Sequence, residues 1–148
     1  MSEETIRRVL TECQVIAVVG LSRDLGKASY GVAEYLKKHG FKIIPINPFV
    51  NEILGEKAYK SLFDMPSEVQ KTVEVVQIFR PSEDVPPIVD QAIRLRKTNG
   101  VPSVVWMQLG IVNGQAGEEA REAGLIVVMD HCMMQEHKRL FGHIAGRK

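Results

Sequence analysis

The sequence lacks most of the features that place a short chain in a special class. It has only two cysteines in 148 residues, Cys13 and Cys132, which excludes a framework of several disulfides. Nineteen Lys and Arg against eighteen Asp and Glu leave a formal charge of +1, so we expect no general attraction to nucleic acid or to an anionic membrane. The longest apolar runs, such as residues 125–129, are far shorter than the roughly 20 residues that cross a bilayer.

What remains is the composition of an ordinary globular chain. With 45% hydrophobic and 25% charged residues, residues 1–148 are expected to form a single domain with a core of its own. The chain does not start with a basic segment, an apolar core and a small-residue cleavage site. Together with two cysteines and six methionines, this start favours a reducing, cytoplasmic setting.

Five short apolar segments, rich in β-branched residues, alternate with longer segments of helical period. The segments are residues 15–19, 41–46, 73–79, 103–107 and 125–129. Each is nearly continuously apolar, as strands buried on both faces are. Helical spacing between them ends at Gly40 and Gly100, and further helices are predicted before the first strand, over 114–123 and over 133–141. This pattern predicts an α/β fold: a Rossmann-like, doubly wound, five-stranded parallel sheet of order 3-2-1-4-5 flanked by helices.

The loop after the first predicted strand has features of a phosphate-binding loop. Gly20 allows a tight turn, Gly26 allows close approach of a ligand to the backbone, and the next helix start offers free N–H groups. Arg23 and Lys27 add positive charge. The common motifs are not matched, because five residues separate the two glycines, no hydroxyl residue follows Lys27, and Ser22 stands where the dinucleotide motif has glycine.

Polar residues also follow the other four predicted strands, in segments 47–48, 79–82, 106–110 and 130–132. In a doubly wound sheet they face one crevice at the C-terminal ends of the strands. Gln108 needs hydrogen-bond partners, because it comes just after a buried strand. Asn47 stands where an NAD-binding domain has an acidic residue for the ribose. An NAD(P)-dependent oxidoreductase is therefore disfavoured but stays an alternative.

Cys132 and the histidines near the end of the chain form a second candidate centre. A cysteine at a helix start after the last strand can be reactive, which supports an alternative function as a redox or acyl-transfer enzyme; a small buried cysteine fits the position equally well. His131, His137 and His143 are six residues apart, unlike the common close-spaced zinc sites, so no metal site is expected. No GxSxG motif is present, and no catalytic residue is predicted.

The motifs in their order resemble those of the small stand-alone CoA-binding domain proteins. They are VVGLSRDLGKASYGVAEYL, PINP, YKSL, FRPSE, WMQLGI and AGLIVVMDHCMMQEHKRL. That group is similar in fold to the N-terminal CoA-binding domain of the succinyl-CoA synthetase alpha chain and of related ADP-forming acyl-CoA synthetases. The resemblance extends from about Ile16 to Leu140, and it is the order and spacing of the motifs together that make it specific.

The resemblance implies that coenzyme A or an acyl-CoA binds across the strand ends. Gly20, Ser22, Arg23 and Lys27 would meet the phosphates, Asn47 and Pro48 would border the nucleotide, Arg80, Pro81 and Ser82 would lie along its adenosine side, and Gln108 and Gly110 would line the far half of the crevice. Cys132 joins this set as the residue that the thiol arm of CoA would approach. The clustered cations suit a ligand with a diphosphate and a ribose phosphate.

The same resemblance does not imply ligase activity. The synthetases also need a phosphorylatable histidine in a second domain and a nucleotide-binding partner chain, and 148 residues leave space for neither. We therefore expect a binding protein without catalysis of its own. A protein partner or a homo-oligomer stays open.

Overall fold

The structure is a computed structural model, and it describes residues 2–142. Its elements are α1 (Glu3–Glu12), β1 (Val15–Val19), α2 (Ala28–Lys38), β2 (Lys42–Ile46), α3 (Ser67–Gln70), β3 (Val75–Ile78), α4 (Val85–Asn99), β4 (Val104–Met107), α5 (Gly114–Glu122), β5 (Ile126–Val128) and α6 (Met133–Phe141). A hairpin of Glu52–Ile53 with Glu56–Lys57 and a 3-10 turn at Leu62–Asp64 lie between β2 and α3. A second 3-10 turn, Ser82–Asp84, leads into α4. All five predicted strands are confirmed, with ends that differ by at most two residues.

The five strands form one parallel sheet in the order β2-β1-β3-β4-β5. The predicted α/β class, the five parallel strands and the helical layers are confirmed. The order of the strands differs from the predicted 3-2-1-4-5: β3 does not extend the sheet beyond β2 but pairs with β1, where Val75 lies opposite Ile16. On its other side β1 pairs with β2, where Lys42 lies opposite Val15.

The faces on which the crossovers lie explain this order. α2 packs on one face of the sheet, where Leu36 shares a core cluster with Ile16. The connection between β2 and β3 packs on the opposite face, where Leu62 shares a cluster with Ala17. Crossovers between parallel strands are right-handed, so connections on opposite faces carry the chain across the sheet in opposite directions. The second crossover therefore returns past β1 and places β3 on its far side.

The alternation along β1 divides the interior into two cores. Ile16 and Val18 face the cluster under α1, α2 and α6, whereas Ala17 and Val19 face the cluster under α4 and α5. Burial on both faces explains why the strands contain so few polar residues. The polar residues therefore lie in the loops at the carboxyl ends of the strands. The direction in which successive strands are added to the sheet reverses between β1 and β3. In open α/β sheets, ligands bind at that switch point.

Two further features bear on function. No helix within residues 2–142 is long and apolar enough to span a bilayer. In the same range, no group of three or more His, Cys, Asp or Glu side chains could hold a metal ion. His143 lies outside the described residues, and His137 is a buried residue of α6 whose Nδ1 lies 2.8 Å from the Tyr35 hydroxyl.

Candidate functional site

The loops after β1 and β3 cross at the switch point. Gly20 has a φ of +90°, in the left-handed region that favours glycine, and its N–H donates to the carbonyl of Ile46 over 3.0 Å. A Cβ at Gly20 would lie 3.1 Å from Cδ of Arg80 and 3.2 Å from the carbonyl carbon of Phe79. Because Gly20 has no side chain, the aliphatic part of the Arg80 side chain, from the loop after β3, can pass close to the loop after β1.

A cavity of about 670 Å³ opens beside this crossing, within the usual size of small-molecule sites. Its lining comes from the last residues of β1 and β2, the loops after β1 and β3, the connection after β2 and the start of α4: Val19, Gly20, Ser22, Ile46, Asn47, Pro48, Phe49, Lys60, Ser61, Leu62, Arg80, Asp84, Pro87, Ile88 and Gln91. Every one of these residues lies between positions 19 and 91. β4, β5 and the loops that follow them contribute none of the lining.

Five of the predicted site residues line this cavity: Gly20, Ser22, Asn47, Pro48 and Arg80. Asn47 holds the loops in place. Its Nδ2 donates to the carbonyl of Leu21 over 2.9 Å, and its Oδ1 accepts from the N–H of Phe49 over 2.7 Å. The amide nitrogen thus fastens the β2 loop to the β1 loop, and the amide oxygen holds the turn of the β2 loop itself.

The loop from β1 to α2 is shaped by its own hydrogen bonds. The Ser22 hydroxyl accepts from the N–H of Asp24 over 3.0 Å, and the Asp24 carboxylate accepts from the N–H of Gly26 over 2.9 Å. The side chains of Arg23 and Lys27 are exposed and do not belong to the cavity lining. Lys27 is the N-cap of α2 and provides no side-chain cap, so the amide end of this helix is open to an anion.

Arg80 forms an ion pair within the lining. Its Nη2 lies 2.9 Å from Oδ2 of Asp84, and the two side chains are 52% and 44% exposed. A second cation, Lys60, and an aromatic ring that is 90% exposed, Phe49, also line the cavity. Lys60 belongs to the YKSL motif, for which no role in the site is predicted, and none of the motifs contains Phe49 or Asp84. Phe49 and Lys60 both lie in the irregular stretch 47–66, and the length of such a connection is itself a signal of function.

Pro81, Ser82 and Gly110 lie outside the lining and organise the neighbouring loops. The Pro81 carbonyl accepts from the N–H of Asp84 over 2.8 Å in the 3-10 turn. The Ser82 hydroxyl accepts from the N–H of Val112 over 2.9 Å, which ties the β3 loop to the β4 loop. The N–H of Gly110 donates to the Asp130 carboxylate over 2.7 Å. These contacts connect the ends of β3, β4 and β5 through protein groups alone.

Gln108 is buried, with 4% of its surface exposed, and it has the partners expected from its position after a strand. Its Oε1 accepts from Nε2 of Gln77 over 3.1 Å and from the N–H of Met133 over 2.9 Å. The amide therefore joins β3 and β4 to the start of α6. Within the described residues, Oε1 of Gln77 is buried and has no hydrogen-bond partner.

Cys132 is the N-cap of α6, is 6% exposed and packs in the cluster that contains Trp106 and Met133. Cys13 is half-buried. Burial, with the charges of Glu74 and Glu12, raises the pKa of the Cys13 thiol from 9.0 to about 11. Reactive cysteines need exposure and positive surroundings. The packing of Cys132 and the raised pKa of Cys13 are those of structural cysteines.

Comparisons with known proteins agree on one family. The sequence profile described as "CoA binding domain" matches residues 14–138. The protein YneT of Bacillus subtilis (strain 168) is 35% identical over 136 residues, which cover 92% of this chain and 94% of that protein. The ADP-forming acetate–CoA ligase II of Archaeoglobus fulgidus is 31% identical over 130 residues, which are 86% of this chain but only 17% of the ligase. A hypothetical protein from Pyrococcus horikoshii OT3 has a solved structure with a TM-score of 0.86 and 39% identity, covering 96% of this chain and 94% of that one.

Proposed function

The chain belongs to the CoA-binding domain family, and from this membership we propose that it binds coenzyme A or an acyl-CoA in the cavity at the switch point between β1 and β3. The observation that carries the proposal is the crossing of Arg80 over Gly20 at that cavity. It brings a guanidinium, from a loop that the chain reaches only 60 residues later, to the phosphate-type loop after β1. Guanidinium groups and free helix N–H groups are the partners that phosphates select.

The chemistry of the lining suits the parts of this ligand. Arg80 and Lys60 supply positive charge for the diphosphate and the ribose phosphate, and the open amide end of α2 adds donors without side chains. Phe49 and Ile88 offer apolar surface for an adenine ring. The predicted contacts of Arg23 and Lys27 with the phosphates remain part of the proposal, since both are exposed and long enough to turn towards a bound anion.

We further propose that the chain binds its ligand without catalysing a reaction of its own. It aligns with 17% of the Archaeoglobus ligase, so the remainder of that enzyme has no counterpart in the aligned segment. A fold and a family membership do not transfer an activity. The cytoplasmic setting, the single-domain organisation, a protein partner or homo-oligomer, and the absence of nucleic-acid binding belong to the same proposal.

The two alternative functions receive less support from the structure. An NAD-dependent oxidoreductase needs an acidic side chain at the end of β2 to bind the ribose, and Asn47 stands there with both polar atoms engaged by the backbone. A Cys132-based redox or acyl-transfer enzyme needs an accessible thiol, and Cys132 is packed in the core under α6.

Calorimetric titration and thermal unfolding with CoA, acetyl-CoA, NAD⁺ and NADP⁺ test the proposal. CoA at a hundred times its dissociation constant should raise the free energy of unfolding by about 2.7 kcal/mol, whereas the nicotinamide nucleotides should leave it unchanged. Arg80→Ala should weaken CoA binding by about 1.5–3 kcal/mol. Arg94→Ala is the matched control, because Arg94 forms an ion pair of the same spacing with Asp90 on α4 but does not line the cavity. Stabilisation by NAD⁺ and not by CoA would overturn the proposal.

A further inference from the structure

Asp84 stands at the N-cap of α4, yet its side chain makes no capping hydrogen bond. An N-cap carboxylate normally accepts from the N–H of the second or third residue of the helix. In α4 these residues are Pro86 and Pro87, and proline has no N–H. The two prolines therefore leave the Asp84 carboxylate without a donor in its own helix.

The carboxylate binds Arg80 instead. Its Oδ2 lies 2.9 Å from Nη2 of Arg80, and both residues line the cavity. The stem of Arg80 is fixed beside Gly20, since its Cδ lies 3.1 Å from the place of the missing Cβ. The guanidinium that faces the cavity thus already has an anionic partner. The positive end of the α4 helix dipole stabilises this carboxylate further.

We propose that Asp84 is an affinity-setting residue, an internal anion that competes with the phosphate groups of the ligand for Arg80. This inference rests on the proposed function and adds a regulatory contact to the same site. A phosphate that binds Nη2 of Arg80 competes with the carboxylate for that group, and Asp84 also stays in the cavity as a repulsive charge. Both effects lower the affinity for phosphate-bearing ligands below the value that Arg80 alone would give.

A direct role for Asp84 in holding the ligand makes the opposite prediction. A carboxylate in a nucleotide site can accept hydrogen bonds from ribose hydroxyls, and its removal would then weaken binding. Competition for Arg80 predicts tighter binding after removal of the charge. The sign of the change in affinity therefore separates the two roles.

The test compares Asp84→Asn with two control variants by calorimetric titration at constant ionic strength. Asn keeps the size of the side chain and is itself a favoured N-cap, so α4 should be preserved. Glu83→Gln removes the same charge from the neighbouring exposed residue and reports on general electrostatics. Asp90→Asn breaks the ion pair with Arg94, which has the same spacing and lies outside the cavity lining.

Asp84→Asn should bind CoA about two- to fivefold more tightly than the wild type, the effect that an exposed ion pair supports. The two controls should change the affinity by less, and the gain from Asp84→Asn should be smaller in an Arg80→Ala background, where only the repulsive charge is removed. Unchanged or weaker binding in Asp84→Asn, or an equal gain in Glu83→Gln, overturns the inference.

Inorganic diphosphate, titrated in parallel, separates this inference from the proposed function. If no variant binds CoA while Asp84→Asn still gains affinity for diphosphate, the proposed function fails and the competition between Asp84 and phosphate stands. If CoA binds the wild type and Asp84→Asn gains nothing, the competition fails and the proposed function stands. If neither ligand binds any variant, both are overturned.

Discussion

Replacement of Gly20 by alanine should both destabilise the fold and weaken ligand binding. The φ of +90° strains any residue with a Cβ, at a cost of about 1–3 kcal/mol. The new Cβ would also lie 3.2 Å from the carbonyl carbon and oxygen of Phe79 and 3.1 Å from Cδ of Arg80. The arginine stem can move aside, but the backbone of Phe79 is held by its N–H, which donates to the carbonyl of Val19 over 2.9 Å. Relief of the contact therefore displaces Arg80.

Thermal unfolding followed by titration with CoA measures both effects. A loss of about 1–3 kcal/mol corresponds to about 2–4 °C in Tm for each kcal/mol in a chain of this size. Gly31→Ala is the matched control, since Gly31 lies inside α2 and a Cβ there meets no atom within 4 Å. Alanine in a helix interior should raise stability by about 0.5–1 kcal/mol and leave the affinity for CoA unchanged.

Two results would refute this reasoning. If Gly20→Ala unfolds at the temperature of the wild type, the strain and the close contact with Phe79 have been overestimated. If it is destabilised but binds CoA as tightly as the wild type, the position of Arg80 does not matter for the ligand. The second result would also remove the observation on which the proposed function depends.

Other residues give predictions of different kinds. Gln108→Leu should lower the free energy of unfolding in urea by at least about 2 kcal/mol, because buried donors on Gln77 and Met133 lose their acceptor. Gln77→Met should change the free energy of unfolding by less than about 1 kcal/mol, since the substitution also removes a buried oxygen without a partner. Equal losses in the two variants would contradict this account. Burial and the charge of Glu74 raise the pKa of Cys13 to about 11, so little thiolate is present near neutral pH. The rate of alkylation in the folded protein should therefore keep rising until the pH reaches about 11. Mass spectrometry of a Cys132→Ser variant measures that rate, and a plateau near 9.0 would show an unshifted thiol.

The strands and helices could be predicted from sequence because burial on two faces leaves a strong pattern. Residues 15–19 are apolar at every position, and the structure has β1 over the same five residues. The order of the strands could not be predicted in this way. The order depends on which face of the sheet the connection after β2 covers. An apolar residue such as Leu62 can be buried on either face, so its presence in the sequence does not distinguish the two. The shift of β3 to the side of β1 is what brings Arg80 next to Gly20.

The positions of candidate site residues that directly follow a strand could be predicted from the sequence. The hydrogen-bond partners of their side chains could not. Asn47 and Arg80 follow strands directly, and both line the cavity as expected. Gln108 also follows a strand, but the N–H of Met133 and the amide of Gln77 occupy its oxygen. A sequence shows that such an amide needs partners and does not show whether protein or ligand supplies them.

The location of the whole cavity lining between residues 19 and 91 divides the chain into two parts with different freedom to evolve. The segment from β4 onwards completes the sheet, but it contributes no residue to the cavity in which we propose that the ligand binds. Changes of side chain should therefore accumulate at exposed positions after β4, such as Leu109 and Val112, whereas Gln108 should stay, because its amide joins β3 and β4 to α6. Under the proposed function, relatives should differ at these exposed positions more than at the residues that line the cavity.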